Sequence, residues 1–392
     1  MDFSSAISAR ARSVDVSGIR RIFELGAQLT DPINLSIGQP DFPVPDALKR
    51  AAIDAIENNR NGYTLTQGIP ELRQRIGAHL KTDLGWNAPS DETGVMVTSG
   101  TSGALFLAAM ALLDEGDECI IPDPYFVLYP NLASLTGAKA VLCDTYPDFR
   151  MTAERVEPLI TERTKFVLKV SPANPTGVVL NTNECRELHE LCKSKGVLLI
   201  ADEIYDEFAF DEMLEPTPQD PSRRATPSAA RFPGASESML IIRGFGKTYG
   251  CTGWRMGYAA GPNSVISQMS KVQQYSFVCA PSMAQWGCLP AFDCDMSDVL
   301  KKYERRRDIV LDKLTPVTEV PKPGGSFFAF VRIPEKLGMT DVEFSEACIE
   351  QNMLVIPGSA FSSKNTHFRI SFAVDDAKLE RGLDILAEML AG

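Results

Sequence analysis

Between about Ala51 and Asn263, short apolar runs alternate with amphipathic stretches, and this alternation limits the fold more than any other feature of the chain. VMVTSG, ECIIPD, AVLCD, KFVLKVSP, VLLIADE and MLIIRG read as strands, and SGALFLAAMALLDEG and NTNECRELHELCKSKG read as helices. The second helix is punctuated by Asn181 or Thr182 at its start and by Gly196 after Lys193 and Lys195 at its end. Strands separated by helices predict an α/β fold with a mostly parallel sheet flanked by helices. After about Ala291 the texture changes. A long charged helix near 296–314 precedes GGSFFAFVRI, DVEFSEACIEQN, MLVIPG, HFRISFA and AKLERGLDILAEML, which predicts a smaller α+β domain. The expected division is an N-terminal segment (1–45) that joins the small domain or a second subunit, a large domain (46–290) and a small C-terminal domain (291–392). The Pro-rich stretch EPTPQDPSRRATPSAARFPG (215–234) reads as a surface loop.

The 392 residues suffice for about two domains. Lys and Arg number 39 against 51 Asp and Glu, a net charge of −12, which argues against nucleic acid or an anionic membrane as partner. Nine scattered cysteines without a C-x-x-C pair suit reduced thiols in a cytoplasmic protein. MDFSSAISARARS lacks the apolar core of a signal peptide, and no run approaches the roughly 18 apolar residues of a spanning helix. Three histidines, His79, His189 and His367, stand at no ligand spacing, so no metal is expected.

Gly246-Lys247-Thr248 ends like a nucleotide phosphate loop, but Ile241 occupies the place of the first glycine, so the spacing fails. Lys247 needs another role. Three strand-like runs finish in reactive side chains: KFVLKVSPANPTG in Asn174, VLLIADEIY in Asp202 and Tyr205, and MLIIRGFGK in Lys247. Ligands of α/β sheets bind where strands end, so these residues are expected in one cleft. A carboxylate after an apolar strand needs a partner. Lys247 itself is one option, as a buried ion pair; a protonated pyridine nitrogen, with Lys247 joined as a Schiff base to the aldehyde of the same ring, is the other, and is what a pyridoxal phosphate site requires. Such a site needs an anion pocket. Gly100, Thr101 and Ser102 in VTSGTSGALFLAA lie at a strand-to-helix turn, where free N–H groups and the helix dipole attract phosphate, although the same turn also reads as simple N-capping. Arg255 supplies a cationic fork there, or is a surface arginine.

NLSIGQPDF, GYTLTQGIPELR, SPANPTG, ADEIYDEF, GKTYGCTGWRMGY and HFRISFA together resemble the class I/II aminotransferases of pyridoxal phosphate (PLP) fold type I, in that family's order from about Ile33 onward. The resemblance implies that Lys247 carries the cofactor, Asp202 holds the pyridine N1 proton, and Tyr205 and Asn174 bind the ring's 3-oxygen. It implies that Gly100, Thr101, Ser102 and Arg255 hold the phosphate, with Tyr63 reaching in from the other subunit of a homodimer, and that Phe126 stacks on the ring unless it packs in the core. Arg369, helped by the Gly38 N–H and Asn174, is implied to clamp the substrate α-carboxylate; the alternative is a solvated strand arginine. Two positions depart from the family pattern, Gly246 and Arg243, where many relatives carry Ser or Ala and Asn.

The implied reaction is ping-pong transamination between an L-amino acid and a 2-oxo acid, with 2-oxoglutarate expected as acceptor. The expected donor is of aspartate, aromatic or alanine type. One aspartate-specific subgroup places a lysine at Ser102; its absence leaves Arg20 or Arg21 as a basic alternative, and Tyr125, Phe126, Tyr129 and Phe361 as candidates to line a side-chain pocket. A C–S β-lyase of the same fold is the competing enzyme reading. A PLP-binding regulator would need a helix-turn-helix module in front, for which residues 1–32 are too short.

Overall fold

The computed structural model describes residues 3–14, 26, 29–217 and 219–392. Seven strands form the main sheet: β1 (Thr93–Ser99), β2 (Glu118–Asp123), β3 (Lys139–Asp144), β4 (Thr164–Val170), β5 (Leu198–Asp202), β6 (Met239–Gly244) and β7 (Met256–Pro262). They lie in the order β1-β7-β6-β5-β4-β2-β3. Only β7 runs antiparallel to its neighbours.

A parallel strand covered on both faces must be apolar on both, which is why β6 carries the unbroken run Met239-Leu240-Ile241-Ile242. Its residues alternate between two cores. Ile241 packs with Leu72, Ile76, Leu188 and Cys192 of helices Pro70–Leu84 and Thr182–Lys195, whereas Leu240 and Ile242 pack with Leu105, Leu132 and Ile266 of helices Gly100–Leu112, Leu128–Thr136 and Asn263–Gln274. The period of two along the strand thus builds the three layers. Helix Thr182–Lys195 begins with a capping box between Asn181 and Glu184 and ends at Gly196 in the left-handed conformation.

A third core belongs to the C-terminal part. There β8 (Phe328–Arg332), β9 (Ile356–Pro357) and β10 (His367–Ser371) form an antiparallel sheet with β10 in the middle. Helices Ser297–Leu314, Asp341–Glu350 and Asp376–Ala391 pack on it. Ile33–Asn34 pairs in parallel with Met353–Leu354, and Ile33 and Leu35 enter this same core, so the chain reaches Ser36–Gly38 from the C-terminal side of the molecule.

The stretch 215–234 departs from its reading as a surface loop. Thr226, Ser228, Ala229, Ala230 and Arg231 are buried, because Arg231 pairs with Asp83 at 2.7 Å and Ser228 donates to Glu203 at 2.7 Å. Paired polar groups, rather than apolar content, take this segment inside.

Candidate active site

The C-terminal ends of β4, β5 and β6, the start of helix Gly100–Leu112, and segments from both ends of the chain surround one cleft of about 310 Å³. Gly38, Gly100, Thr101, Ser102, Phe126, Asn174, Asp202, Tyr205, Lys247, Arg255 and Arg369 all line it. Tyr63 does not; the residue is 88% exposed and is not among those lining this cleft. Arg20 and Arg21 lie outside the described residues.

Asp202 ends β5 and is buried. The Tyr129 hydroxyl donates to its Oδ2 at 2.8 Å and the Ile204 N–H to its Oδ1 at 3.3 Å. Burial pushes its carboxyl up to about 6, against the pull of these two donors. No ion pair joins Asp202 to Lys247, so the simple buried pair is not formed; the Lys247 Nζ donates instead to the Gly38 carbonyl. Burial, then the charges of Arg369 and Arg255, lower the Lys247 ammonium to about 8.

Arg369 lies mid-strand in β10 opposite Phe330 and Ile356, which fixes its backbone. It is buried, not solvated. Its guanidinium lies 4.3 Å from the Phe328 ring centroid and 4.5 Å from that of Phe361, donates to Asn174 Oδ1 at 3.0 Å and to the Ser36 carbonyl at 2.9 Å, and among the described residues leaves Nε without a partner. Burial lowers it to about 9. A buried guanidinium facing a cleft without an acidic partner is costly unless an anion arrives.

The turn after β1 is another place where an anion would be favoured. Among the described residues no side chain caps helix Gly100–Leu112, so its N–H groups are open to a ligand. Gly100 has φ +68°, and a Cβ there would lie 2.7 Å from Arg255 Nη2. Gly257 of β7 serves the same approach, since its Cβ would meet the Gly100 carbonyl carbon at 2.7 Å. Arg255, itself at φ +54°, is held by the Thr252 carbonyl at 3.1 Å. Among the described residues, Lys247, Arg255 and Arg369 have no carboxylate partner, so the cleft is positive within a chain of net charge −12.

Three contributions were not legible beforehand. Tyr129, read as a pocket aromatic, gives its hydroxyl to Asp202; it follows Phe126 by nearly one helical turn, and their rings meet edge to face at 5.7 Å. Phe361 packs on Arg369 and is fully buried. Arg243 turns away from the cleft into a buried charge cluster, 2.9 Å from Glu203, 2.8 Å from Asp83 and 3.2 Å from Asp206. His79, Asp206 and Glu207 bring ligand-type atoms within 4.8 Å of one another beside that cluster, where Arg243 already supplies positive charge.

The family model for aminotransferase class I and II matches residues 30–386. The aspartate aminotransferase of Pyrococcus abyssi is 33% identical, with 98% of each chain covered, and the aromatic-amino-acid aminotransferase 2 of Thermococcus litoralis is 32% identical over the same shares. The structure of the Thermus thermophilus aspartate aminotransferase with maleate superposes with a TM-score of 0.88 at 30% identity, covering 97% of this chain and 99% of that one. The chain therefore belongs to the class I and II aminotransferases, with PLP fold type I architecture. It is a PLP-dependent enzyme that transfers amino groups between amino acids and 2-oxo acids. No described helix is long and apolar enough to cross a membrane.

Proposed function

We propose that this cleft is the active site, that Lys247 is its covalent anchor and base, and that the donor is an aspartate-, aromatic- or alanine-type L-amino acid with 2-oxoglutarate as acceptor. The observation that carries the reading is the buried Arg369 guanidinium, which among the described residues has no carboxylate partner and no partner at Nε, in the same cleft as Lys247 and Asp202. The residues present fit the cofactor. Gly100, Thr101, Ser102 and Arg255 form an anion cradle that a Cβ at Gly100 would fill, Asp202 is a buried carboxylate without a cation, and Asn174, Tyr205 and Phe126 line the wall between them.

PLP, when bound, supplies an aldehyde that takes up amino groups and a protonated ring that draws electrons from the α-carbon. Asp202, ionised above about pH 6, would hold a proton at the ring nitrogen. Arg369 binds the substrate α-carboxylate, with Asn174 and the backbone at Gly38 beside it, and this orients the Cα–H bond. The Lys247 Nζ, neutral above about pH 8, would take the Cα proton and deliver it to the carbon on the far side of the amino nitrogen. Ser102 offers no charge for a second substrate carboxylate, while Phe126 and Val170 give the cleft an apolar wall.

A homodimer completes the site in this reading. Tyr63, Leu65, Tyr275, Phe277, Val278 and Met283 are exposed apolar residues. They sit on two segments tied together by Ser282 Oγ to the Arg60 carbonyl at 2.6 Å and by Gln285 Nε2 to Thr64 Oγ1 at 2.9 Å. A second copy covering this face brings its own Tyr63 toward the phosphate cradle. The nine free cysteines fit a reducing, cytoplasmic setting. The test is glutamate formation from 2-oxoglutarate with a panel of L-amino acids on the PLP-loaded protein. Pyruvate and ammonia without an acceptor would assign the lyase reaction instead.

A further inference from the structure

Asp123, the last residue of β2, is a buried carboxylate outside the cleft and outside the roles above. No basic side chain pairs with it among the described residues. Its oxygens instead accept from two consecutive serines of the C-terminal part: Ser362 Oγ at 2.5 Å, and Ser363 through Oγ at 2.5 Å and N–H at 3.3 Å. Two more contacts close the same joint. The Tyr125 N–H donates to the Phe361 carbonyl at 2.6 Å, and the Tyr146 hydroxyl pairs with Ser362 Oγ at 2.9 Å.

This joint links two working parts. On one side, Asp123 lies three residues before Phe126, which lines the cleft. On the other, Ser362 follows Phe361, whose ring centroid lies 4.5 Å from the Arg369 guanidinium, with that of Phe328 at 4.3 Å. Among the described residues the Arg369 fork is held by two hydrogen bonds from its terminal nitrogens and Nε has no partner, so the two aromatic rings packed on it help set the plane in which it lies. Planarity decides how well a guanidinium meets a carboxylate in bidentate fashion.

We infer that Asp123 is a positioning residue for carboxylate recognition: by clasping Ser362 and Ser363 it fixes Phe361 against Arg369 and keeps that fork aligned with the cofactor-facing wall at Phe126. This rests on the reading of Arg369 as the carboxylate site. A neutral amide at residue 123 takes the charge out of both hydroxyl clasps, and on the Ser363 side its N–H₂ faces a backbone N–H that can only donate, so the joint loosens.

The experiment compares PLP-loaded wild type, Asp123→Asn, the double variant Ser362→Ala/Ser363→Ala, and Arg369→Ala. For each, it measures KM and kcat for the best donor in the panel, inhibition by maleate, cofactor affinity and thermal stability. Asp123→Asn and the double serine variant are expected to raise KM and the maleate inhibition constant by about tenfold or more, with kcat and cofactor affinity changed far less. Combining them should add little. Wild-type KM in a folded Asp123→Asn protein, alongside a large KM increase in Arg369→Ala, would overturn the inference alone. An unchanged KM in Arg369→Ala would overturn the reading beneath it. Equal loss of kcat, KM and cofactor affinity in both latch variants would make Asp123 a general structural tie and also contradict the inference.

Discussion

Tyr129 donates its hydroxyl proton to Oδ2 of Asp202 at 2.8 Å, both groups being buried. That bond stabilises the ionised carboxylate, the form able to hold a proton on the cofactor ring. Tyr129→Phe removes it and raises the Asp202 carboxyl further above about 6. The acidic limb of activity and of cofactor affinity is expected to move to higher pH. A pH profile superimposable on wild type would contradict this role.

Asp202 also costs the empty protein stability. Its folded carboxyl sits at about 6 against an ordinary value of 3.8, so its favourable contribution is present at low pH and is lost as pH rises through about 6. Asp202→Asn should therefore stabilise the cofactor-free protein at neutral pH. At about 1.4 kcal/mol per unit, a shift from 3.8 to about 6 sets an upper limit of about 3 kcal/mol. The same change should lower kcat by orders of magnitude. Thermal melts of the cofactor-free proteins at pH 5 and 8, with kcat of the loaded ones, measure both halves.

Arg369→Lys keeps the charge and loses the planar fork. The expected loss in kcat/KM is on the order of a hundredfold, carried mainly by KM, as for other truncated charge-assisted contacts. Stability of the cofactor-free protein should hold or rise, because the guanidinium leaves Nε unsatisfied. A strongly destabilised variant would show that Arg369 is there chiefly for the fold.

Gly100→Ala places a Cβ 2.7 Å from Arg255 Nη2 at a residue with φ +68°. Displacing Arg255 and straining the turn should weaken cofactor binding about tenfold or more, given a left-handed penalty of about 1–2 kcal/mol. Fluorescence titration with PLP reads it directly. Arg255→Ala should weaken binding likewise and raise the Lys247 ammonium above about 8, since Arg255 is one of the charges that lower it.

Tyr63 is 88% exposed, and in the proposed dimer it serves the other subunit's cleft. Tyr63→Phe should leave folding and assembly unchanged and lower cofactor affinity. Light scattering should report a dimer for both proteins. A fully active monomer would remove the second copy from the site.

The apolar runs of β2, β4, β5 and β6 were legible because a parallel strand buried on both faces has no polar alternation to confuse it with a helix or loop. The residues at their ends follow from the rule that α/β sheets bind ligands there, so sequence alone puts Asn174, Asp202 and Lys247 in one cleft. Arg369 and Gly38 came only from resemblance, since nothing local to HFRISF or NLSIGQ indicates where those segments dock. The Tyr129 bond, the Phe361 stack and the Asp123 clasp depend on contacts between residues 73, 8 and 239 or more positions apart, which no periodicity encodes. The buried half of 215–234 was misread for the same reason, because Pro and Ser composition says nothing about the Asp83 and Glu203 partners that draw it inward.

The central claim is that Lys247 binds the cofactor covalently and gives it up to an amino acid. Borohydride reduction of the PLP-loaded protein, followed by peptide mapping by mass spectrometry, tests it most directly. The account predicts the reduced cofactor mass on the peptide containing Lys247, and its disappearance when a competent donor amino acid is added before reduction. Labelling of another lysine, or a Lys247→Ala protein that still transaminates at the wild-type rate, would contradict it.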